Sequence, residues 1–299
     1  MVKKLIVTGA QGFVAGSVLA QAGSEWDIHA ISRGESGAQT RRFAWHTCDP
    51  LKPQELESLF RKIRPDALIH CAAIADIDVA EQNHELARAV NIEITRTLMN
   101  LCSEGGCRMV HCSTDTVFDG EHAPYSESDT PRPVNYYGHT KVEAENIVGS
   151  LGERSVIARL AIVMGLPVMG SGNSFLARML RNLREGTIVS VPAQEVRTPI
   201  DVITAGRALL ELAAGSHTGI VHLAGRDRLN RLELAQRIAA GLNLNPALIQ
   251  PQLSPEPARR APRPRDVSLH NARACAELKT PMRSLDQALS LILDREQLR

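Results

Sequence analysis

The feature that most constrains the fold of this chain is the regular alternation of short apolar runs with helix-patterned segments through its first half. The apolar runs have the length of strands, and the segments between them repeat apolar residues with a helical period. Elements that alternate in this way predict a doubly wound parallel sheet of the α/β class. Predicted strands are 4–7, 27–32, 43–47, 67–71, 108–113 and 155–163, and predicted helices are 14–22, 53–63, 82–104 and 135–150.

The sequence changes in character after Gly165, where glycine and proline become frequent. A stretch rich in proline and arginine at 251–265 is interpreted as an ordered arm, because helix-like sequence resumes at Leu285. We predict a first domain over 1–164, extended by later segments such as 196–224, and a smaller C-terminal α/β part over 165–299. Predicted helices of this second part are 174–184, 202–214 and 231–242, and predicted strands are 188–191 and 220–224.

A glycine-rich turn, TGAQGFVAG at 8–16, follows the first predicted strand and opens the first predicted helix. In that context Gly9 permits a tight turn, and Gly12 lets the backbone approach a pyrophosphate at the positive end of the helix. The predicted cofactor contacts here are Gly9, Gln11, Gly12, Phe13 and Val14. The turn predicts a Rossmann-like dinucleotide-binding domain at 1–164, which leaves 165–299 as mainly the substrate-binding part.

The end of the second predicted strand indicates which dinucleotide binds. An acidic residue at such a position accepts hydrogen bonds from a ribose 2′-hydroxyl and repels a 2′-phosphate. This chain has Ser32 and Arg33 there instead, and a guanidinium pairs well with a phosphate. We therefore predict that both residues contact the cofactor and that NADP(H) is preferred over NAD(H).

Two further strand ends are predicted to contact the cofactor. Asp49 follows the third predicted strand and can accept a hydrogen bond from the adenine amino group. Small residues, Cys71, Ala72 and Ala73, end the fourth predicted strand. Their size lets the backbone run past the nicotinamide ribose.

The chemistry is predicted from Tyr137 and Lys141, which are four residues apart in a predicted helix and therefore lie on one face. An ammonium near a phenol stabilises the phenolate and lowers the phenol pKa from about 10, so the phenol becomes a better proton donor. Thr114 ends the fifth predicted strand, at the ligand edge of such a sheet, where its hydroxyl can hold a substrate oxygen. Tyr136 has no lysine four residues on, and is predicted to pack or to line the substrate site.

Composition and charge exclude several other classes of function. The formal net charge is +1, which provides no field to attract nucleic acid or an anionic membrane. No apolar run approaches the roughly 18 residues of a spanning helix. The six cysteines form no C-x-x-C motif and no zinc spacing with histidine, so we expect reduced thiols, a cytoplasmic protein and no metal site.

Several segments together resemble a known family. The most specific is STDTVFDG at 113–120, and NYYGHTK at 135–141, HCAAIADID at 70–78 and RTP at 197–199 fit the same pattern. Over nearly its full length the chain resembles an extended short-chain dehydrogenase/reductase, and within that group dTDP-4-dehydrorhamnose reductases and their relatives. The resemblance implies NAD(P)H-dependent reduction of the 4-keto group of a nucleotide-linked deoxysugar.

The resemblance also assigns roles to residues. Thr114, Tyr137 and Lys141 match the catalytic positions of the family, and Tyr137 and Lys141 also hold the cofactor. Asn91 matches a cofactor-binding position. The substrate-binding positions that it implies are Thr114, Asp115, Arg197 and Arg263, with the two arginines meeting the pyrophosphate of the sugar nucleotide.

Two alternative functions stay open on the sequence. One is a sugar-nucleotide epimerase or dehydratase, although Thr116 stands where a dehydratase of this kind has a glutamate. The other is a non-catalytic NADP-binding regulatory subunit like that of methionine adenosyltransferase, which resembles the same family. The sequence also leaves a homodimer possible, since long exposed helices of this fold often pair.

Overall fold

The computed structural model describes residues 2–35, 42–168, 174–252 and 260–297. Its centre is a sheet of seven parallel strands in the order β11-β6-β5-β4-β1-β2-β3. Three two-stranded pairs, β10-β7, β12-β9 and β13-β8, lie outside it. The strands are β1 (Lys3–Thr8), β2 (Trp26–Ser32), β3 (Ala44–Thr47), β4 (Ala67–His70), β5 (Arg108–Thr114), β6 (Ser155–Leu160), β7 (Val163–Met164), β8 (Val189–Val191), β9 (Val196–Arg197), β10 (Ile200–Asp201), β11 (Gly219–Leu223), β12 (Leu229–Asn230) and β13 (Ile249–Pro251).

Helices cover both faces of the large sheet, and consecutive residues of β1 show how. Leu5 and Val7 pack into the core beside helices α1 and α8, whereas Ile6 packs into the core beside α2 and α5. Side chains that alternate between two buried faces explain why the strand is apolar at each position from Leu5 to Val7. The helices are α1 (Phe13–Gln21), α2 (Pro53–Ile63), α3 (Ile77–Gln82), α4 (His84–Arg88), α5 (Ile94–Gly105), α6 (Tyr136–Gly149), α7 (Phe175–Arg184), α8 (Val202–Ala214), α9 (Arg231–Gly241), α10 (Ala272–Glu277) and α11 (Leu285–Gln297).

A second apolar core joins α7, α9 and α11 to β8 and β13. It contacts the first part of the chain through Val163 and Phe13, which pack against it at the edge where the parallel strands end. The sheet itself takes its last strand, β11, from late in the chain. The predicted division into 1–164 and 165–299 remains a prediction, while the doubly wound parallel sheet is confirmed.

Two predicted elements are wrong in their bounds. The predicted helix 82–104 is interrupted at Asn83, whose side chain accepts a hydrogen bond from the Leu86 amide and so starts α4, and a π-helical turn at Ala89–Glu93 precedes α5. The predicted strand 155–163 ends at Leu160, because Val163 pairs with Ile200 of a separate short strand.

The proline- and arginine-rich arm at 251–265 lies partly outside the described residues, at 253–259. Ala261 and Pro264 are buried at its far end. Across the described ranges, no helix has both the length and the apolar character that a membrane span requires.

Candidate active site

The glycine turn leaves no room for side chains at two points. Gly9 has a φ of +68°, and a Cβ there would lie 2.8 Å from the backbone N and Cα of Ala72. A Cβ on Gly12 would lie 2.9 Å from the Gly9 carbonyl oxygen. Gly12 is the N-cap of α1, no side chain caps that helix, and its first turn holds no acidic residue. The positive end of α1 is therefore open to an anion, as a pyrophosphate site requires.

A cleft of about 230 Å³ continues from this turn along the ends of β2 and β4. Gln11 accepts a hydrogen bond from the Ser32 hydroxyl at 2.9 Å and donates one to the Glu35 carbonyl at 3.0 Å. Arg33 is exposed at the same cleft. The structure thus brings the turn, Ser32, Arg33 and the small residues after β4 to one surface.

Of the predicted cofactor residues that are absent from this lining, Phe13, Val14, Tyr137 and Lys141 line a second cleft described below, whereas Asp49 and Asn91 line neither. Asp49 uses its carboxylate to accept a hydrogen bond from the Leu51 amide at 3.2 Å. Asn91 is 1% exposed, and its amide oxygen accepts from the Ile74 amide at 2.8 Å while its amide nitrogen donates to Thr140 at 2.9 Å. Asn91 lies in the π-helical turn, and its hydrogen bonds join the loop after β4 to α6.

The predicted catalytic residues come together at the carboxyl edge of the sheet. Thr114, Tyr137 and Lys141 all line a second cleft of about 680 Å³, which adjoins the first at Cys71 and Gly12. Asn135 starts α6 by accepting a hydrogen bond from the Gly138 amide at 2.9 Å. A Cβ on Gly138 would lie 2.6 Å from the Thr116 carbonyl, so a glycine is required for α6 to begin this close to the end of β5.

Burial sets the electrostatics of these groups. Burial raises the pKa of Tyr137, an effect that interaction with the Thr114 side chain opposes and the Asp115 carboxylate reinforces. Burial also lowers the pKa of Lys141 to about 8. The Lys141 ammonium lies 3.0 Å from Nε2 of His111 and 2.8 Å from the Cys112 carbonyl oxygen. The predicted lowering of the Tyr137 pKa by Lys141 is therefore not what this structure shows, since the ammonium is held toward β5 and desolvation of the phenol dominates.

The predicted substrate residues already have partners. Arg263 pairs through both terminal nitrogens with Asp78, at 2.8 Å each. Arg197 donates to the carbonyl oxygens of Val196, Pro264 and Arg265. Both guanidiniums line the larger cleft, but backbone and acidic side chains hold them in place.

Asp115 differs from the other acids of the cleft. It is 5% exposed, and burial raises its pKa. One carboxylate oxygen accepts from the hydroxyls of Thr114 and Thr116, at 3.3 and 3.2 Å. The other has no hydrogen-bond partner among the described residues and lies 3.9 Å from Nε of Arg197.

The cleft contains residues that the sequence alone did not reveal. The Arg231 guanidinium lies over the Phe175 ring, 4.6 Å from its centroid, and Glu195 lies 3.9 Å from Arg231. No short motif joins these positions, because they are brought together by the second core. Within the described ranges, no group of three or more His, Cys, Asp or Glu side chains is arranged to hold a metal ion.

A sheet that opens on such a turn and ends its fifth strand beside a tyrosine–lysine helix defines an extended short-chain dehydrogenase/reductase. The particular family follows from comparison with known proteins. The model of the family described as RmlD substrate binding domain matches residues 3–298, and this chain belongs to that family.

Named relatives agree with this placement. The chain is 30% identical over 299 residues to a dTDP-4-dehydrorhamnose reductase of Mycobacterium tuberculosis, covering 97% of this chain and 92% of that protein. It is 27% identical over 267 residues to methionine adenosyltransferase 2 subunit beta of Xenopus laevis, covering 88% and 78%. Its fold is similar to the crystal structure of dTDP-4-dehydrorhamnose reductase from Bacillus anthracis in complex with NADP, with a TM-score of 0.86, 25% identity and coverage of 99% and 100%.

Proposed function

We propose that this protein is an NADPH-dependent reductase of the 4-keto group of a nucleotide-linked deoxysugar, with dTDP-4-dehydrorhamnose as the first substrate to test. The observation that carries the proposal is that Thr114, Tyr137 and Lys141 line one cleft that adjoins the open end of α1. The likeness to two dTDP-4-dehydrorhamnose reductases supports it.

The residues present fit a dinucleotide. The backbone at Gly9 and Gly12 leaves space where side chains would otherwise stand, and the N-terminus of α1 is uncapped toward it. Arg33 lines the smaller cleft and is the proposed partner of a 2′-phosphate, and its positive charge supports the proposal of NADP(H) over NAD(H). When bound, NADPH supplies the hydride that reduces the substrate.

In the proposed mechanism the chain supplies the proton and holds the substrate oxygen. Tyr137 donates the proton of its phenol to the oxygen of the ketone as that oxygen gains negative charge. The Thr114 hydroxyl, which lines the same cleft, donates a hydrogen bond to the same atom. Lys141 lines the same cleft with its ammonium held toward β5, and it is the proposed contact to the ribose hydroxyls of the cofactor. The raised pKa of Tyr137 keeps the phenol protonated until that moment.

The charge of the cleft supports an anionic substrate. Its lining contains six cationic side chains, those of Lys141, Arg178, Arg197, Arg231, Arg260 and Arg263, against four acidic ones, those of Asp76, Asp78, Asp115 and Glu195. The excess of two positive charges suits the diphosphate of a nucleotide sugar. Arg197 and Arg263 are the proposed contacts to that group, and Asp115 the proposed contact to a sugar hydroxyl.

The test measures NADPH absorbance while product forms from dTDP-4-dehydrorhamnose. We expect one NADPH consumed for each product molecule. Product that forms without loss of NADPH would contradict the proposal in favour of a redox-neutral epimerase or dehydratase.

Cofactor preference is tested separately with Arg33→Ala. Loss of a charge-assisted contact with the 2′-phosphate should lower kcat/KM for NADPH about tenfold and leave kcat/KM for NADH unchanged. A wild-type enzyme that prefers NADH, or an equal loss with both cofactors, contradicts the predicted role of Arg33.

A second candidate is a non-catalytic NADP-binding regulatory subunit. The likeness to methionine adenosyltransferase 2 subunit beta favours it, since that protein matches 88% of this chain. A stoichiometric partner recovered by pull-down, together with no ketone reduction across a panel of nucleotide sugars, would support this candidate over the reductase.

A further inference from the structure

Two thiols lie side by side where the two clefts meet. Cys71 follows β4 directly, and Cys112 lies on β5; their sulfur atoms are 3.5 Å apart. His70 and His111 are paired in the sheet register, so Cys71 and Cys112 are the next two residues along the neighbouring strands. Both cysteines are partly exposed and line the larger cleft, and Cys71 also lines the smaller one.

The geometry allows these sulfurs to bond. Neighbouring strands lie about 4.8 Å apart, which is inside the range of about 4.4–6.8 Å between the Cα atoms of a disulfide. Moving the sulfurs from 3.5 Å to a bond length of about 2.05 Å requires a shift of roughly 1.5 Å, which side-chain rotation and a small movement of the end of β4 can supply.

We propose that Cys71 and Cys112 are a redox-modification site, at which a peroxide forms a reversible disulfide that weakens binding of the dinucleotide. The proposal rests on the proposed function only in taking the smaller cleft as the cofactor site. It goes beyond that function because it makes cofactor binding depend on the oxidation state of two side chains.

The step balances as a two-electron oxidation. The Cys112 sulfur, which lines the larger cleft, attacks one oxygen of hydrogen peroxide as a thiolate; the O–O bond breaks, and the leaving hydroxide takes up the proton that the thiol gave up and becomes water. The product is a sulfenic acid on Cys112. The Cys71 sulfur then attacks the Cys112 sulfur, the S–S bond forms, and the hydroxyl leaves as a second water with the Cys71 proton. Two thiols are oxidised, and one peroxide is reduced to two waters.

The disulfide would act at the end of β4, beside the glycine turn, and on β5, beside the Lys141 contact. Cys71 precedes Ala72, whose backbone N would lie 2.8 Å from a Cβ at Gly9, so the strand end and the glycine turn are already in close contact. The Cys112 carbonyl accepts a hydrogen bond from Lys141. Drawing the two sulfurs together shifts the end of β4 against the turn, and a dinucleotide bound in the smaller cleft would cover the Cys71 thiol, which lines that cleft.

The other cysteines provide internal comparisons. Cys102 and Cys107 also lie together, but they are 0% and 1% exposed, so we expect peroxide to oxidise them more slowly than the partly exposed pair. Cys275 is exposed, so the oxidised fraction of its thiol measures the extent of the peroxide treatment. Wild type, Cys112→Ser and Cys102→Ser therefore form a matched set.

The experiment treats the reduced full-length chain with hydrogen peroxide, with and without saturating NADP⁺. Disulfide-linked peptides are identified by mass spectrometry, and the Kd for NADPH is measured before treatment, after it, and after addition of a thiol reductant. We expect a Cys71–Cys112 crosslink, a Kd raised at least tenfold and restored by reductant, and slower crosslinking in the presence of NADP⁺. Cys102→Ser should behave as wild type, whereas the Kd of Cys112→Ser should not change on treatment.

Two results would overturn the proposal. One is complete oxidation of Cys275 with no link between Cys71 and Cys112. The other is a link that leaves the NADPH affinity unchanged. Neither readout uses a sugar substrate. The reductase proposal would fail if the reduced protein binds NADPH but turns over no substrate, and that result is distinct from both results that would overturn the redox proposal.

Discussion

The two adjoining clefts, which form the cofactor side and the substrate side of the candidate site, are built in opposite ways. The cofactor side, from Gly9 to Arg33 and along the end of β4, is formed by backbone and small residues from consecutive segments of the chain. The substrate side is formed by charged side chains, and its partners lie far apart in sequence, as Asp78 and Arg263 do at a separation of 185 positions. A dinucleotide is recognised mainly through space and the helix N-terminus, whereas an anionic sugar nucleotide requires cationic side chains that the fold must hold in position.

This contrast predicts that the two halves fail separately. Damage on the cofactor side should change dinucleotide affinity, and damage on the substrate side should change turnover or stability while dinucleotide affinity is kept. The following substitutions test that separation, from the largest expected effect to the smallest.

Tyr137→Phe tests the junction of the two sides. Removing the proposed proton donor should lower kcat by about 10²–10⁴-fold, while the Kd for NADPH stays within about twofold of wild type. Stopped-flow turnover and fluorescence titration measure the two quantities. Turnover that survives the change would exclude Tyr137 as the acid.

Glu145→Gln tests the buried charges beneath the substrate side. Glu145 pairs with Arg159 at 2.7 Å, both side chains are at most 5% exposed, and Ser113 also donates to Glu145. Removing one partner leaves a buried unpaired guanidinium, which should lower the free energy of unfolding by about 3–5 kcal/mol.

Its control is Glu143→Gln on the same helix. Glu143 pairs with Arg88 at 3.4 Å, but both side chains are more than 40% exposed, so the expected loss is under about 1 kcal/mol. Urea unfolding of both variants measures the difference. Equal losses would show that burial of the pair does not matter.

Lys141→Met tests the lowered pKa of this lysine through pH. The folded pKa, about 8, is below the value of about 10.4 expected when the chain is unfolded, so the unfolded chain binds more protons between those pH values. The free energy of unfolding contributed by Lys141 therefore rises with pH across that window. From pH 7.5 to 9.5, wild type should gain about 2 kcal/mol more than the variant in urea unfolding. Parallel pH profiles would show that the pKa is not lowered.

Gly9→Ala tests the cofactor side, with Gly152→Ala as its control. Both glycines have positive φ, but a Cβ at Gly9 would lie 2.8 Å from the Ala72 backbone, and one at Gly152 would have no atom within 4 Å. The strain of positive φ, about 1–2 kcal/mol, is common to both, so both should lose stability. Only Gly9→Ala should weaken NADPH binding, by about tenfold. Equal loss of NADPH affinity in both variants would contradict the explanation that the Cβ at position 9 weakens binding through its clash with the Ala72 backbone.

Local patterns were sufficient wherever a feature is formed by neighbouring residues. The glycine turn at Gly9 and Gly12, the end of β5 at Thr114 and the start of α6 beside Tyr137 were predicted because strand ends, caps and helical spacing are local properties. The helix predicted at 82–104 failed because Asn83 and Asn91 use their side chains to bind backbone, which apolar periodicity does not record.

The sequence by itself determined the parallel sheet, the dinucleotide turn and the Thr–Tyr–Lys set, since each depends on residues close together in the chain. The tertiary structure decided how the charges are used: Arg197 held by carbonyl oxygens, Arg263 held by Asp78, and Lys141 turned toward His111. The physical reason is that desolvation and pairing depend on which distant groups fold against a side chain. Burial therefore raised the pKa of Tyr137 in a site where spacing alone predicted that it would fall.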